Sequence, residues 1–199
     1  MFKRVFFVLA VLAFLAAGNG WVTAAGGPEY KAVYVVTQGK EVATQTLYVK
    51  GSAKMRLEMD ARTGAVQTIV RLDKNVVWVL MTGEKMYMEQ KFNPKQWAQY
   101  QNDQDFFKEK AKKIGEEKVL GYNCAIYEYV DGNITTKHWV VKDLWINLRI
   151  IMLESGKEKL KMEAKELKVG PQADALFEVP NGYEKIELNF NLPGMGSQG

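Results

Sequence analysis

Cysteine and histidine are almost absent from this 199-residue chain, which holds one of each, Cys124 and His138. One cysteine cannot form an internal disulfide, so the fold must rest on its core. Cys124 lies in an apolar, strand-like stretch and reads as a small buried hydrophobe rather than a reactive thiol. One histidine removes His-based metal clusters and makes most zinc sites implausible, so neither a metal nor a cofactor is expected. A Cys124–His138 nucleophile pair would sit on facing strands of one hairpin, with no sharp turn to raise the sulfur. His138 reads instead as a sheet residue, hydrogen-bonded or exposed beside Trp139. The chain also lacks a Gly-x-Ser-x-Gly elbow, a phosphate-cradling Gly-Lys-Ser/Thr loop and a dinucleotide fingerprint. The acid pair Glu116-Glu117 belongs to a charged turn and reads as solvated surface. With no catalytic constellation in sight, the expectation is a protein that is not an enzyme.

Two further absences narrow the class. Positive charge is not gathered into a stripe: acids and bases interleave, as in Lys157-Glu158-Lys159 and Glu163-Ala164-Lys165-Glu166, and nucleic-acid binding would need a concentrated patch. Long apolar runs are missing except at the N-terminus. There Lys3 and Arg4 precede the apolar stretch Val5 to Ala17, Gly18-Asn19-Gly20 breaks it, and Val22-Thr23-Ala24 offers a small-x-small cleavage pattern. A spanning helix needs roughly 20 apolar residues, so residues 1–24 are expected to be a cleavable signal peptide and the product to carry no stable membrane anchor. Without Lys3 and Arg4 the count is 25 basic against 23 acidic residues. About 175 residues then remain, enough for one domain with a real core, and the protein is expected to be a periplasmic or secreted monomer.

What is present is a succession of short strands and turns. Tyr30 to Thr37 and Glu41 to Lys50 flank Gln38-Gly39. In Lys54 to Asp60, Met55, Leu57 and Met59 alternate with Arg56, Glu58 and Asp60, a period of two that makes one dry face. Strands follow at Val66 to Leu72, Val76 to Met81, which is apolar on both faces, and Met86 to Gln90. From Pro94, Trp97, Tyr100, Phe107, Ala111 and Ile114 recur at helical spacings, predicting an amphipathic helix that breaks near Asn102. After Gly115 the strands resume at Lys118 to Val119, Cys124 to Val130, Thr135 to Val141, Leu148 to Glu154 and Leu160 to Leu167, with Asp131-Gly132-Asn133 as a hairpin turn. A helical turn at Pro171 to Leu176 and a last strand at Tyr183 to Phe190 complete residues 25–192, and 193–199 form a flexible tail. About ten evenly spaced strands and one or two helices predict a mainly β fold, a curved antiparallel sheet or unclosed β-barrel with a helical lid.

Methionine on strand faces is the distinctive chemistry. Met55, Leu57 and Met59 share one face, Met86 and Met88 another, and Leu160 and Met162 a third. Methionine is unbranched and adaptable, so a cavity lined by it accepts apolar guests of varied shape. The alternative is that these residues simply fill a core.

Several segments carry a resemblance: Lys54-Met55-Arg56-Leu57-Glu58, the strand pair around Val76 to Met88, Gly121-Tyr122-Asn123-Cys124, His138-Trp139-Val140-Val141-Lys142-Asp143-Leu144, Lys168-Val169-Gly170-Pro171, and Leu176-Phe177-Glu178-Val179-Pro180-Asn181-Gly182-Tyr183. In these the chain resembles secreted domain-of-unknown-function families related to the outer-membrane lipoprotein-sorting carriers and acceptors (LolA/LolB-like). The resemblance implies an unclosed antiparallel barrel plugged by helices, whose cavity in the carriers takes acyl chains. The acceptor's lipid anchor is missing, and no residue aligns with the carrier's gating arginine, so an apolar ligand is implied rather than lipoprotein transfer. The expectation is a cell-envelope, non-catalytic carrier or sensor for a lipid or acyl chain, with Met55, Leu57, Met59, Met86, Met88 and Met162 lining the cavity and Trp97, Tyr100 and Phe107 under the lid. The alternatives are an envelope scaffold that binds a protein partner around a filled core, and an unrecognised hydrolase.

Overall fold

A computed structural model describes residues 27–60, 66–92 and 109–187. The predicted signal peptide, the predicted lid residues Trp97, Tyr100 and Phe107, and the predicted tail lie outside the described residues.

Among the described residues there are twelve strands: β1 (Glu29–Gln38), β2 (Glu41–Lys50), β3 (Lys54–Asp60), β4 (Val66–Arg71), β5 (Val76–Met81), β6 (Met86–Lys91), β7 (Lys112–Val119), β8 (Tyr122–Asp131), β9 (Ile134–Val141), β10 (Asn147–Glu154), β11 (Lys157–Val169) and β12 (Glu184–Lys185). A 3-10 turn, Asp174–Phe177, precedes β12. The strands form one hydrogen-bonded sheet in the order β12-β6-β5-β4-β3-β2-β1-β11-β10-β9-β8-β7, and among the described residues its two ends do not pair with each other. The mainly β, unclosed sheet expected from the sequence is the fold found. β12 runs parallel to β6, matching Glu184 with Met86 and Lys185 with Tyr87. Tertiary contacts divide the chain into two compact units, one holding Val35–Val42 and the described part of Ala98–Lys165, the other holding the described parts of Ala25–Tyr34, Ala43–Trp97 and Glu166–Gly199.

Tight loops set the registers. Between β10 and β11, Glu154 faces Lys157 across Ser155-Gly156, both at positive φ (49° and 75°). That is the type I′ geometry whose twist matches the flanking strands. Leu120-Gly121 does the same between β7 and β8, where Val119 faces Tyr122.

This hairpin corrects the predicted helix end. Ala111 and Ile114 extend the apolar helical stripe in the sequence, yet β7 begins at Lys112. Ile114 falls in a bulge between Lys113, opposite Tyr127, and Gly115, opposite Ile126, and is 43% exposed. Pairing with β8 along the whole of β7 overrides the local helix propensity of a Lys/Glu-rich run.

Candidate functional site

In the unit that contains β3 to β6, cross-strand register sorts the side chains into two faces. One row runs Gln45, Met59, Val66, Met81, Met86; the next runs Leu47, Leu57, Thr68, Val79, Met88; the third runs Val49, Met55, Val70, Val77, Gln90. Directly paired residues point to the same side of a sheet. The register thus brings Met55, Leu57, Met59, Met86 and Met88 onto one face, and adds Met81 to them. Met55, Leu57 and Met59 are fully buried, whereas Met86 and Met88 are half-buried. Met162 stands apart from this set. It belongs to the other unit, on β11, in a row with Ile150, His138 and Tyr127.

One residue of this apolar face is polar without company. Gln45 is 0% exposed, and neither its Oε1 nor its Nε2 has a hydrogen-bond partner. An amide group left unpaired in the interior costs about 1–3 kcal/mol, so its presence among methionine, valine and leucine calls for a reason.

The opposite face of the same strands packs against a C-terminal cap. Ile69, Val76, Trp78 and Leu80 form a core with Phe177, and Tyr48, Tyr87, Leu176, Val179 and Tyr183 pack against it. Basic side chains from the sheet hold the backbone of this C-terminal cap. Lys50 Nζ donates to the carbonyl of Gln172 (3.0 Å), Arg56 to that of Leu176 (3.0 Å) and Arg71 to that of Phe177 (3.1 Å). Lys54 and Lys50 pair with Asp174 (2.7 and 3.0 Å) and hold its carboxyl down at about 2. Arg71, itself buried, also pairs with Asp73 and Glu178. Its hydrogen bonds keep the Asp73 carboxyl below its ordinary value despite partial burial. Trp78 donates its indole N–H to Glu89 (3.0 Å), which Lys185 also holds (2.9 Å).

The other unit carries a separate small pocket of about 170 Å³ lined by Lys113, Ala125, Tyr127, Val140, Lys142 and Trp145. Tyr127 and Trp145 stack with ring centroids 6.2 Å apart. Glu116 bridges Lys113 (2.6 Å) and Lys142 (2.7 Å), whose hydrogen bonds lower its carboxyl to about 2. On the other side of the sheet, Trp139 donates to Glu117 (2.6 Å) and lies under the Arg149 guanidinium, 4.9 Å from the ring centroid.

Register also disposes of the Cys–His pair. Cys124 faces Val141 and His138 faces Tyr127. Val141 and His138 are three residues apart on one strand and so point to opposite sides. Cys124 is fully buried, with its thiol on the carbonyl of Tyr122 (3.7 Å), and burial pushes its pKa up. His138 is buried beside Asn147, with Nδ1 3.2 Å from Oδ1. Among the described residues, no group of three or more His, Cys, Asp or Glu side chains could hold a metal ion, and no helix is long and apolar enough to cross a membrane.

Sequence reasoning overlooked ten members of the methionine face, among them Gln45, Met81, Val66 and Val79. The signal for Met81 and Val79 was their alternation within β5, masked because the intervening Val76, Trp78 and Leu80 are equally apolar.

The fold is shared with solved structures at low identity. An uncharacterized conserved protein from Thermus thermophilus is similar at 13% identity and TM-score 0.59, over 89% of this chain and 98% of that one. MucB in complex with MucA(peri) is similar at 12% identity and TM-score 0.57, over 90% of this chain. The MucA/MucB complex of Pseudomonas aeruginosa matches at 14% and 0.51, over 86% of this chain. The chain spans 62% of the matched chain in both complexes. A LolA superfamily protein from Nitrosomonas europaea is also found, at 10% identity and TM-score 0.38, over 85% of this chain and 96% of that one. No curated protein matches in sequence. A family model does match, over residues 34–148 and so more than half of the chain, and the chain belongs to that family, Domain of unknown function (DUF4412).

Proposed function

We propose that this protein is an exported, non-catalytic binding protein of the cell envelope that takes the acyl chain of a lipid or lipid-modified molecule on the methionine face of β2 to β6. The observation that carries this reading is the asymmetry of those strands. One face packs against the Phe177 cap, while the other carries three adjoining, largely apolar rows with five methionines, buried at Met55 and Met59 and half-buried at Met86 and Met88. Among the described residues of β2 to β6, these rows contain no Lys, Arg, Asp or Glu. Thioether side chains adapt to a chain of varied length and unsaturation at little conformational cost. In this reading residues 1–24 direct export and are removed, residues 25–192 form the working module, and 193–199 are a tail.

Native mass spectrometry of the purified protein is expected to reveal bound lipid. The apolar dye N-phenyl-1-naphthylamine is expected to brighten on binding. Met86→Gln and Met88→Gln, at half-buried positions, each replace a thioether with an amide that the ligand cannot satisfy, and should weaken dye binding by about tenfold. A protein that carries no lipid and takes up no dye would end this reading.

A second reading draws on the likeness to MucB, solved with MucA bound. Here the same face receives an apolar segment of a partner protein. Co-purification of a defined envelope polypeptide, displaced by dye, would favour it over a lipid.

A further inference from the structure

Gln45 has no structural employment. It lies on β2 opposite Met59, is fully buried, and leaves both amide atoms without partners. A methionine at the same position would match its volume and remove the unpaired groups. Interiors retain an unpaired amide where something absent from the folded chain satisfies it. The amide can give two hydrogen bonds and accept at one oxygen, and its row continues through Met59, Val66, Met81 and Met86.

We propose that Gln45 is the polar recognition point of the methionine face, donating from Nε2 to the carbonyl oxygen of an ester- or amide-linked acyl chain. The inference rests on the reading that this face takes acyl chains, and it names their chemical class. The charge of the face selects between carbonyl types. On β2, β3 and β4 the cations Lys50, Lys54, Arg56 and Arg71 all serve the cap on the opposite side, so among the described residues of these strands no counter-charge would meet an ionised carboxylate buried beside Gln45. A neutral ester or amide carbonyl needs only the one donor. The ligand class is therefore an acylated molecule, such as a diacyl lipid or an N-acylated one, rather than a free fatty acid or a hydrocarbon.

The test compares three matched probes by fluorescence titration: 1-dodecylpyrene, 12-(1-pyrenyl)dodecanoic acid, and the methyl ester of that acid. The intact protein should bind the ester more tightly than the acid at pH 7. Gln45→Met should weaken ester binding by about tenfold, the loss of one hydrogen bond in an apolar site, and leave 1-dodecylpyrene within about twofold. Equal weakening of ester and alkane, or no weakening of either, overturns the proposal while leaving the acyl-binding reading intact. Failure of the intact protein to bind any of the three overturns that reading itself. A spectroscopic measurement needs no variant: a carbonyl-13C-labelled methyl ester bound to the intact protein should absorb in the infrared below its position in hexane, and an unshifted band also overturns the proposal. The ligand-free Gln45→Met protein should melt at a higher temperature than the parent. A lower melting temperature would mean that the amide is already satisfied, and would overturn it too.

Discussion

His138 is the chain's one imidazole, and burial makes it a reporter of the acid limb of stability. Desolvation lowers its pKa to about 4 and the bond to Asn147 opposes the shift only partly. The unfolded chain, with an imidazole near 6.5, binds a proton in a range where the folded protein does not. The contribution of His138 to stability is therefore fully present above about pH 6.5 and is lost as the pH drops toward 4, amounting to at most about 3 kcal/mol. The depressed carboxyls of Asp174 and Glu116, both held near 2, act lower. Their contribution is present above the ordinary carboxylate range and disappears as pH falls through it toward 2. Urea unfolding of His138→Gln should accordingly give a stability profile flatter than the parent's between pH 6.5 and 4 and parallel to it below 4. Parallel profiles throughout would assign the slope to another group. The sequence left His138 either hydrogen-bonded or exposed, because burial depends on which residue of β8 it faces. That register is fixed by the two-residue loop Gly132-Asn133, where Asp131 meets Ile134, and not by composition around the histidine.

Among elements, the strands were legible and the cap was not. β3 and β5 coincide with the predicted stretches because period-two patterning and flanking turn residues are local signals. The motif around Phe177 could be quoted for resemblance, yet its anchoring depends on residues more than 100 positions away, among them Arg71 and Arg56. No local pattern encodes such a pairing. The same holds for β7, whose strand character comes from β8 rather than from its own residues. The half of the candidate site on β3 and β6 could be read from alternation. Gln45 could not, since only register places it beside Met59. Within the cap, energetics follow burial. Phe177 is 0% exposed, and Phe177→Ala should cost about 3–5 kcal/mol in urea unfolding, the range for deleting a buried aromatic ring. Arg71→Met removes the donor that serves the Phe177 carbonyl and should cost about 1–3 kcal/mol. Lys74→Met, at a solvent-exposed pair with Glu178, should cost less than about 1 kcal/mol. A ranking with Lys74 above Phe177 would mean that charge rather than packing holds the cap.

At the scale of the whole molecule, an unclosed sheet has two edges that could recruit other chains. The two edges are protected differently. β12 has only two residues, too short to template another strand. β7 is eight residues long and would be a hazard if it were apolar, but Lys112, Lys113, Glu116, Glu117 and Lys118 occupy most of it and are exposed. Edge charges must be desolvated before an incoming strand can pair, and the Ile114 bulge further spoils the regular ladder. The parent protein should therefore run as a monomer in size-exclusion chromatography with light scattering. Among the described residues Lys112 and Lys118 take no part in the ion pairs of Glu116 and Glu117, so replacing them leaves those contacts in place. The double variant Lys112→Val, Lys118→Val should retain the parent's circular dichroism and yet associate progressively with concentration. Placing Lys→Val at Lys157 and Lys159, on a strand already flanked on both sides, should leave the mass unchanged. Association of the second variant but not the first would locate the self-pairing hazard away from β7 and rule out the edge charges as its safeguard.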